Sequence, residues 1–324
     1  MEYTRLGRSG LDVSRVTLGT MNFGNVTGEA DAFKIMDRAL ELGITFFDTS
    51  NNYGFVPKGL TEQIIGRWLA QGGDRRDSIV LATKFYAGMG NSPTHQKGLT
   101  AIKIRRDIED SLRRLQTDHV DLYQMHHVDR RVGWEELWPA LERVVNDGKT
   151  IYVGSSNFGG WHIAQAQALA RERHFMGLIS EQHQYSLVCR LPELEVLPCC
   201  KAHGIGVIVY SPLGGGLLSG HALNPSKGTR ADSDEARARI EKWRPALEAF
   251  GALCKKIGQR EADVALAWTR RNDAITSLIL GPRNVEQLEQ LVAGLSLKLD
   301  DETMAELDKI FPGPGGPAPE AYAW

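Results

Sequence analysis

Eight short β-rich runs, each followed by a stretch with helical apolar spacing, restrict this chain to a parallel sheet joined by crossover helices. The runs are VTLGT, ITFFD, IVLATK, VDLYQM, IYVGSS, GLIS, GVIVYS and SLILG. Between them, FKIMDRALELG puts Phe33, Met36, Ala39 and Leu40 on one helical face and stops at Gly43, while TEQIIGRWLAQGG opens with Thr61 as a cap and closes on glycines. IKIRRDIEDSLRRLQ, WEELWPALERVVNDG, WHIAQAQALARE, ADVALAWTRR and NVEQLEQLVAGL read as further helices. Eight such units predict a closed (β/α)8 TIM barrel, whose functional residues gather at the C-terminal strand ends. A doubly wound open sheet would want GxGxxG after its first strand, and TLGTMNFGNVTG lacks that spacing. Ahead of the barrel, EYTRLGRSGLDVS predicts a hairpin turning at Gly7 to Gly10 and plugging the barrel bottom.

Two segments break the rhythm. LGGGLLSGHALNPSKGTRADSDEARARIEKWRP begins glycine-rich and becomes charged, predicting a mobile loop over 214–232 and then an extra helix. The Pro/Gly-rich tail 311–324, FPGPGGPAPEAYAW, is expected to be neither helix nor central strand, with Tyr322 and Trp324 either docked in an apolar groove or frayed. At 324 residues the chain is long enough for one large barrel, so a single domain over 1–324 is expected.

A formal net charge of −2, with basic and acidic residues interspersed, leaves no footprint for nucleic acid, and the expected partner is a small molecule. MEYTRLGRSG has no leader-like pattern and no run is long enough to span a membrane, so a cytoplasmic protein is expected. Cys189, Cys199, Cys200 and Cys254 lack metal-site spacing; no metal is expected, and the thiols read as small buried hydrophobes.

Four residues that together suit carbonyl reduction follow successive apolar runs: Asp48 and Tyr53 in FFDTSNNYG, Lys84 in IVLATKF and His126 in DLYQMHH. Hydride arriving at a carbonyl carbon leaves charge on oxygen, which calls for a proton donor and a stabilising group. Tyr53 suits the first need, with Lys84 favouring its phenolate and Asp48 holding Lys84; His126 suits the second. Singly, each has a structural reading: a turn tyrosine, an ion-paired lysine, a hydrogen-bonded core histidine. Strand alternation puts Leu122, Gln124 and His126 on one face and Tyr123, Met125 and His127 on the other, so only one of the two histidines should face the pocket, and His126 is the candidate. No side chain donates hydride, so a redox cofactor is required. Ser155, Ser156 and Asn157 of GSSNF and Gln182 offer polar groups for a carboxamide, and Tyr210 offers a ring face for stacking. Gly281 and Arg283 of LGPRNVEQL open a helix where a phosphate would be stabilised, and Arg283 favours NADPH, with NADH as the second option. Phe23, Phe85 and Tyr86 are candidate substrate walls or core residues.

With these motifs assembled, the chain resembles an aldo-keto reductase from YTRLGRSGLDVSRVTLGTMNFG to about Leu295. DTSNNYG, LATK, DLYQMHH, VGSSNF, EQHQYSL, YSPLGGG and LGPRNVEQL stand in family order. The resemblance implies a barrel binding NAD(P)H in an extended pose and a tetrad of Asp48, Tyr53, Lys84 and His126. It implies that Gly19, Thr20 and Met21 line the cofactor and that Ser156, Asn157 and Gln182 hold its carboxamide, with Tyr210 stacking. Ser211, Leu213, Gly215 and Arg230 would approach the pyrophosphate, and Arg283 and Gln287 the adenosine phosphate. Many relatives carry Glu-Asn where this chain has Gln290 and Leu291; Gln290 retains a hydrogen-bonding group for adenine and Leu291 does not. MHHVDR and SSNFGGWHIAQAQ are similar to actinobacterial members, including deoxysugar-pathway reductases, so a nucleotide-linked keto-sugar or 2,3-enone is the alternative substrate. Members specialised for C=C reduction of steroids replace the tetrad His with Glu, and His126 favours carbonyl chemistry. A third reading is a non-catalytic NADPH-binding barrel like a potassium-channel β-subunit.

Overall fold

A computed structural model describes residues 1–54, 56–92, 96–223 and 233–323, without the side chains of 322 and 323. The expected hairpin forms from β1 (Tyr3–Arg5) and β2 (Asp12–Ser14), paired antiparallel. Eight parallel strands then close a barrel: β3 (Val16–Gly19), β4 (Phe46–Asp48), β5 (Val80–Phe85), β6 (Val120–Met125), β7 (Thr150–Ser156), β8 (Leu178–Gln184), β9 (Gly206–Tyr210) and β10 (Ile275–Leu280), with β10 returning to β3. The intervening helices are α1 (Glu29–Glu41), α2 (Leu60–Leu69), α3 (Ala101–Leu115), α4 (Trp134–Asn146), α5 (Gly160–Glu172) and α6 (Val196–His203). Helices α7 (Asp234–Lys256) and α8 (Glu261–Arg271) precede β10, and α9 (Val285–Ala293), α10 (Asp301–Ile310) and α11 (Glu320–Ala323) follow it.

Alternation along the strands produces two separate apolar cores. Phe46, Ala82, Leu122, Ile179 and Ile208 point into the barrel, where Leu6 and Val13 of the hairpin join them. Their neighbours Phe47, Leu81, Tyr123, Leu178, Val207 and Val209 point outward against the helices. The hairpin therefore plugs the barrel bottom. Gly7 sits at the tip with φ +59°, and a Cβ there would come within 2.6 Å of the carbonyl oxygens of Gly204 and Ile179. Only glycine fits both that backbone conformation and that contact.

Several local expectations are refined by packing. Helix α1 buries Ala32, Ile35, Met36 and Ala39, while Phe33 and Leu40 flank that face, half-buried. Thr61 is not the cap of α2. Gly59 holds that place at φ 84°, and the Thr61 hydroxyl instead donates to the carbonyl of Phe23 at 2.8 Å, tying α2 to the loop after β3. Cys200 and Cys254 are buried as expected, whereas Cys189 and Cys199 are half-buried.

The extra helix after the seventh barrel strand is α7. Of the 214–232 loop, residues 224–232 lie outside the described residues. The tail departs from expectation at its end, because the EAYA stretch beyond the last proline is free to form the turn α11. Upstream, Phe311 is buried against Phe250 and Trp243, and Ala318 N–H donates to the Leu194 carbonyl at 2.8 Å. The side chain of Tyr322 and all of Trp324 lie outside the described residues. Among those described, no helix is long and apolar enough to cross a membrane and no group of His, Cys, Asp or Glu is arranged to hold a metal ion.

Candidate active site

Strand β4 ends at Asp48, paired with Ala82 of β5, and Lys84 stands two residues farther along β5. Their side chains meet inside the barrel, with Lys84 Nζ donating to Asp48 Oδ2 at 2.6 Å. The same ammonium donates to the Thr49 carbonyl at 2.7 Å and to the Tyr53 hydroxyl at 3.3 Å. Lys84 is completely buried, so its three hydrogen-bond directions replace water with fixed oxygen partners. Asp48 Oδ1 accepts from Gln182 Nε2 at 2.8 Å and from Gln124 Nε2 at 3.2 Å. Gln124 was passed over by sequence reasoning, although its inward alternation with Leu122 was the available signal.

The His126 imidazole lies edge-on to Tyr53, with ring centroids 6.0 Å apart. Its Nδ1 is 3.2 Å from the hydroxyl of Ser50, a second residue the sequence did not single out. His127, beyond the end of β6, packs instead against Tyr86, tilted at 5.5 Å between ring centroids. Of the three candidate walls, Phe23 and Phe85 are core residues, and Phe85 stacks on Tyr123 at 4.3 Å. Tyr86 alone remains half-buried.

Electrostatics modify the sequence expectation for Tyr53. Burial pushes its phenol pKa up; the Lys84 ammonium opposes this and Asp48 reinforces it, so the net direction is upward. The phenol is thus held as an O–H donor, with a cation beside the oxygen. For Lys84, burial works against the ammonium, but Asp48 and Tyr53 outweigh it and raise the pKa. Burial, then Lys84 and His127, pushes His126 down from 6.5 to about 3. His126 is neutral near pH 7 and offers one N–H and one lone pair.

His126 should show no NMR titration between pH 5 and 8, and a midpoint near its ordinary value would contradict the buried geometry. Because its folded pKa lies below the unfolded value, the unfolded chain takes up the proton first. This group therefore lowers stability as pH falls from about 6.5 toward 3.

A cavity of about 550 Å3 runs from Tyr53 and His126 toward the start of α9. Its lining includes Gly19, Thr20, Met21, Asp48, Ser156, Asn157, Gln182, Tyr210, Ser211, Leu213, Gly215, Gly281 and Gln287, all expected from the sequence. It also includes Asn22, Asn52, Gly216 and Leu291, which were not assigned there. Asn157 adopts φ 63°, and its side chain donates to the His126 carbonyl at 3.1 Å while accepting from the Tyr210 hydroxyl at 2.8 Å. These bonds fix the half-buried Tyr210 ring along one wall.

At the far end, Asn284 caps α9 by accepting from Gln287 N–H, and Gln287 Oε1 accepts from Arg283 N–H, both at 2.8 Å. Arg283 is exposed beside the cavity rather than lining it. Gln290 is also outside the lining; it is exposed, and its carbonyl accepts from Arg260 at 2.8 Å, so Leu291 is the residue of that pair that meets the cavity. Arg230 falls outside the described residues.

Comparison with known proteins agrees with this geometry. Residues 15–311 match the aldo/keto reductase family model. An uncharacterized oxidoreductase of Bacillus subtilis, YrpG, is 55% identical, with 100% of each chain covered. The L-glyceraldehyde 3-phosphate reductase of Escherichia coli is 30% identical, covering 95% of this chain and 92% of the relative. The versiconal hemiacetal acetate reductase of Aspergillus parasiticus is 30% identical, covering 96% and 97%. The affinity expected for actinobacterial deoxysugar-pathway reductases gives way to the Bacillus relative, because the match there extends over the whole chain and not over two motifs. The chain belongs to the aldo/keto reductase family of oxidoreductases.

Proposed function

We propose that this protein is a single-domain, NADPH-dependent reductase of aldehydes or ketones in which Tyr53 gives the proton to the carbonyl oxygen. The observation that carries the reading is the fully buried Lys84 ammonium, hydrogen-bonded to both Asp48 and the Tyr53 hydroxyl at one end of the cavity. A dinucleotide fits the residues present. Ser156, Asn157 and Gln182 supply amide and hydroxyl groups near Tyr53, Tyr210 supplies a ring wall, and the left-handed Gly215 and Gly216 leave backbone open to a phosphate. When bound, the reduced nicotinamide supplies the hydride. Tyr53 then protonates the developing alkoxide, and the adjacent Lys84 cation stabilises the phenolate left behind. Asp48 holds Lys84 in place through the 2.6 Å bond, and neutral His126 donates an N–H to orient the carbonyl oxygen.

Arg283 supports NADPH over NADH, since its guanidinium is exposed at the start of α9 without a side-chain hydrogen bond among the described residues. The substrate end is polar, with Asn52 and His126 lining the cavity beside Tyr53, which suits a small hydroxylated or phosphorylated carbonyl. The deciding experiment is oxidation of NADPH and NADH, followed by absorbance, with simple aldehydes, ketones, glyceraldehyde 3-phosphate and nucleotide-linked keto-sugars. Faster turnover with NADPH and a small carbonyl supports the reading. Turnover confined to a keto-sugar would move the substrate class, and cofactor binding without turnover of any carbonyl would favour a regulatory barrel.

A further inference from the structure

Lys103 and Asp107 form a buried ion pair on α3 that the helix itself does not call for. Lys103 lies in the first turn, where a cation opposes the helix dipole, and Lys preceding Asp at i,i+4 is the less favourable order. The two side chains are 3% and 5% exposed, so both charges have given up their hydration. Attachment of α3 to the barrel does not require them. Thr100 caps the helix, Ile104, Ile108, Leu112 and Leu115 bury its apolar face, and Arg114 pairs with Glu62 of α2 near its other end. Two apolar side chains would fill the same space without desolvating a charge.

What the pair does contact is the loops on either side of Lys84. Asp107 Oδ2 accepts from Lys103 Nζ at 2.6 Å and from Asn51 Nδ2 at 2.9 Å. Lys103 Nζ also donates to the Ala87 carbonyl at 2.8 Å, just past β5 and next to Tyr86. Asn51 is completely buried, its backbone N–H donates to the Lys84 carbonyl at 3.0 Å, and it stands two residues before Tyr53. One ion pair on a rigid helix thus fixes the Tyr53 loop and the Tyr86 loop together.

We propose that Lys103 and Asp107, acting through Asn51, are positioning residues that set the Tyr53 hydroxyl against Lys84 and the substrate carbonyl. The catalytic part of this proposal rests on Tyr53 being the proton donor; the loop-holding part does not. Proton transfer demands a short, aligned approach, so a small displacement of the loop lowers turnover without touching the cofactor groove.

The test uses Asn51→Ala, which leaves the ion pair intact, and the double variant Lys103→Met with Asp107→Leu, which removes both charges at similar volume. With NADPH and 4-nitrobenzaldehyde as probe, each is expected to lower kcat about 10-fold, with NADPH affinity unchanged by protein fluorescence. Adding Asn51→Ala to the double variant should cause no further loss, because both changes cut one connection. Amide hydrogen exchange at 49–54 and 85–88 should accelerate about 10-fold, while that of α3 stays unchanged. Fully additive losses in kcat, or loop exchange equal to that of the parent protein, would overturn the proposal. If Tyr53→Phe proved as active as the parent while loop exchange still rose in these variants, the proton-donor reading would fail and the loop clamp would stand.

Discussion

Tyr53→Phe should lower carbonyl turnover by roughly 10²- to 10⁴-fold while leaving NADPH affinity little changed. The substitution removes one oxygen and keeps the ring, so the edge-on contact with His126 and the packing of the loop survive. What disappears is, among the described residues, the only hydroxyl within hydrogen-bond reach of Lys84 Nζ, at 3.3 Å. The Asp48–Lys84 bond at 2.6 Å does not involve Tyr53 and should persist. Steady-state kinetics together with a fluorescence titration of NADPH separate the two effects. A variant retaining parental kcat would require another proton donor, and one that lost cofactor affinity in step with kcat would point to a collapsed site.

Lys84→Met should have a larger combined effect, on stability as well as on turnover. Asp48 is only 3% exposed and would keep the amide donors of Gln182 and Gln124 but lose its cation. Leaving one member of a buried pair uncompensated costs about 3–5 kcal/mol, visible as a lower midpoint in denaturant unfolding. Turnover should fall at least ~10²-fold, because the phenolate formed as Tyr53 gives up its proton loses the adjacent positive charge. Adding Asp48→Asn should recover much of the stability, since the orphaned charge is then gone, but not the turnover. Recovery of both would mean that the pair serves folding alone; recovery of neither would mean that the site had lost its shape.

The eight strands, the plugging hairpin and the convergence of Asp48, Tyr53, Lys84 and His126 at one end of the barrel were legible because each depends on a short-range pattern. A parallel barrel strand shows its period of two within a few residues, and strand ends collect polar side chains wherever the barrel opens. The choice of His126 over His127 drew on the same alternation together with the resemblance to the aldo-keto reductases, and in the structure His126 lines the cavity while His127 packs against Tyr86. Thr61 shows where local reading fails. A threonine ahead of an apolar helical run looks like a cap, but its hydroxyl meets the Phe23 carbonyl from a loop 38 positions away in sequence.

The amino-acid sequence by itself determined the barrel, the order of its elements and which polar residues reach its C-terminal end, because those follow from periodicity and turn chemistry. Tertiary structure alone decided how those residues act on one another. Only burial depth shows that Tyr53 is pushed up despite Lys84 and that His126 is held neutral. Only contact between distant segments shows that Leu291 meets the cavity in place of Gln290, and that Asn51 is anchored to Asp107. Desolvation and side-chain hydrogen bonding depend on which atoms surround a group, and in a barrel those atoms come from strands and helices far apart in the chain.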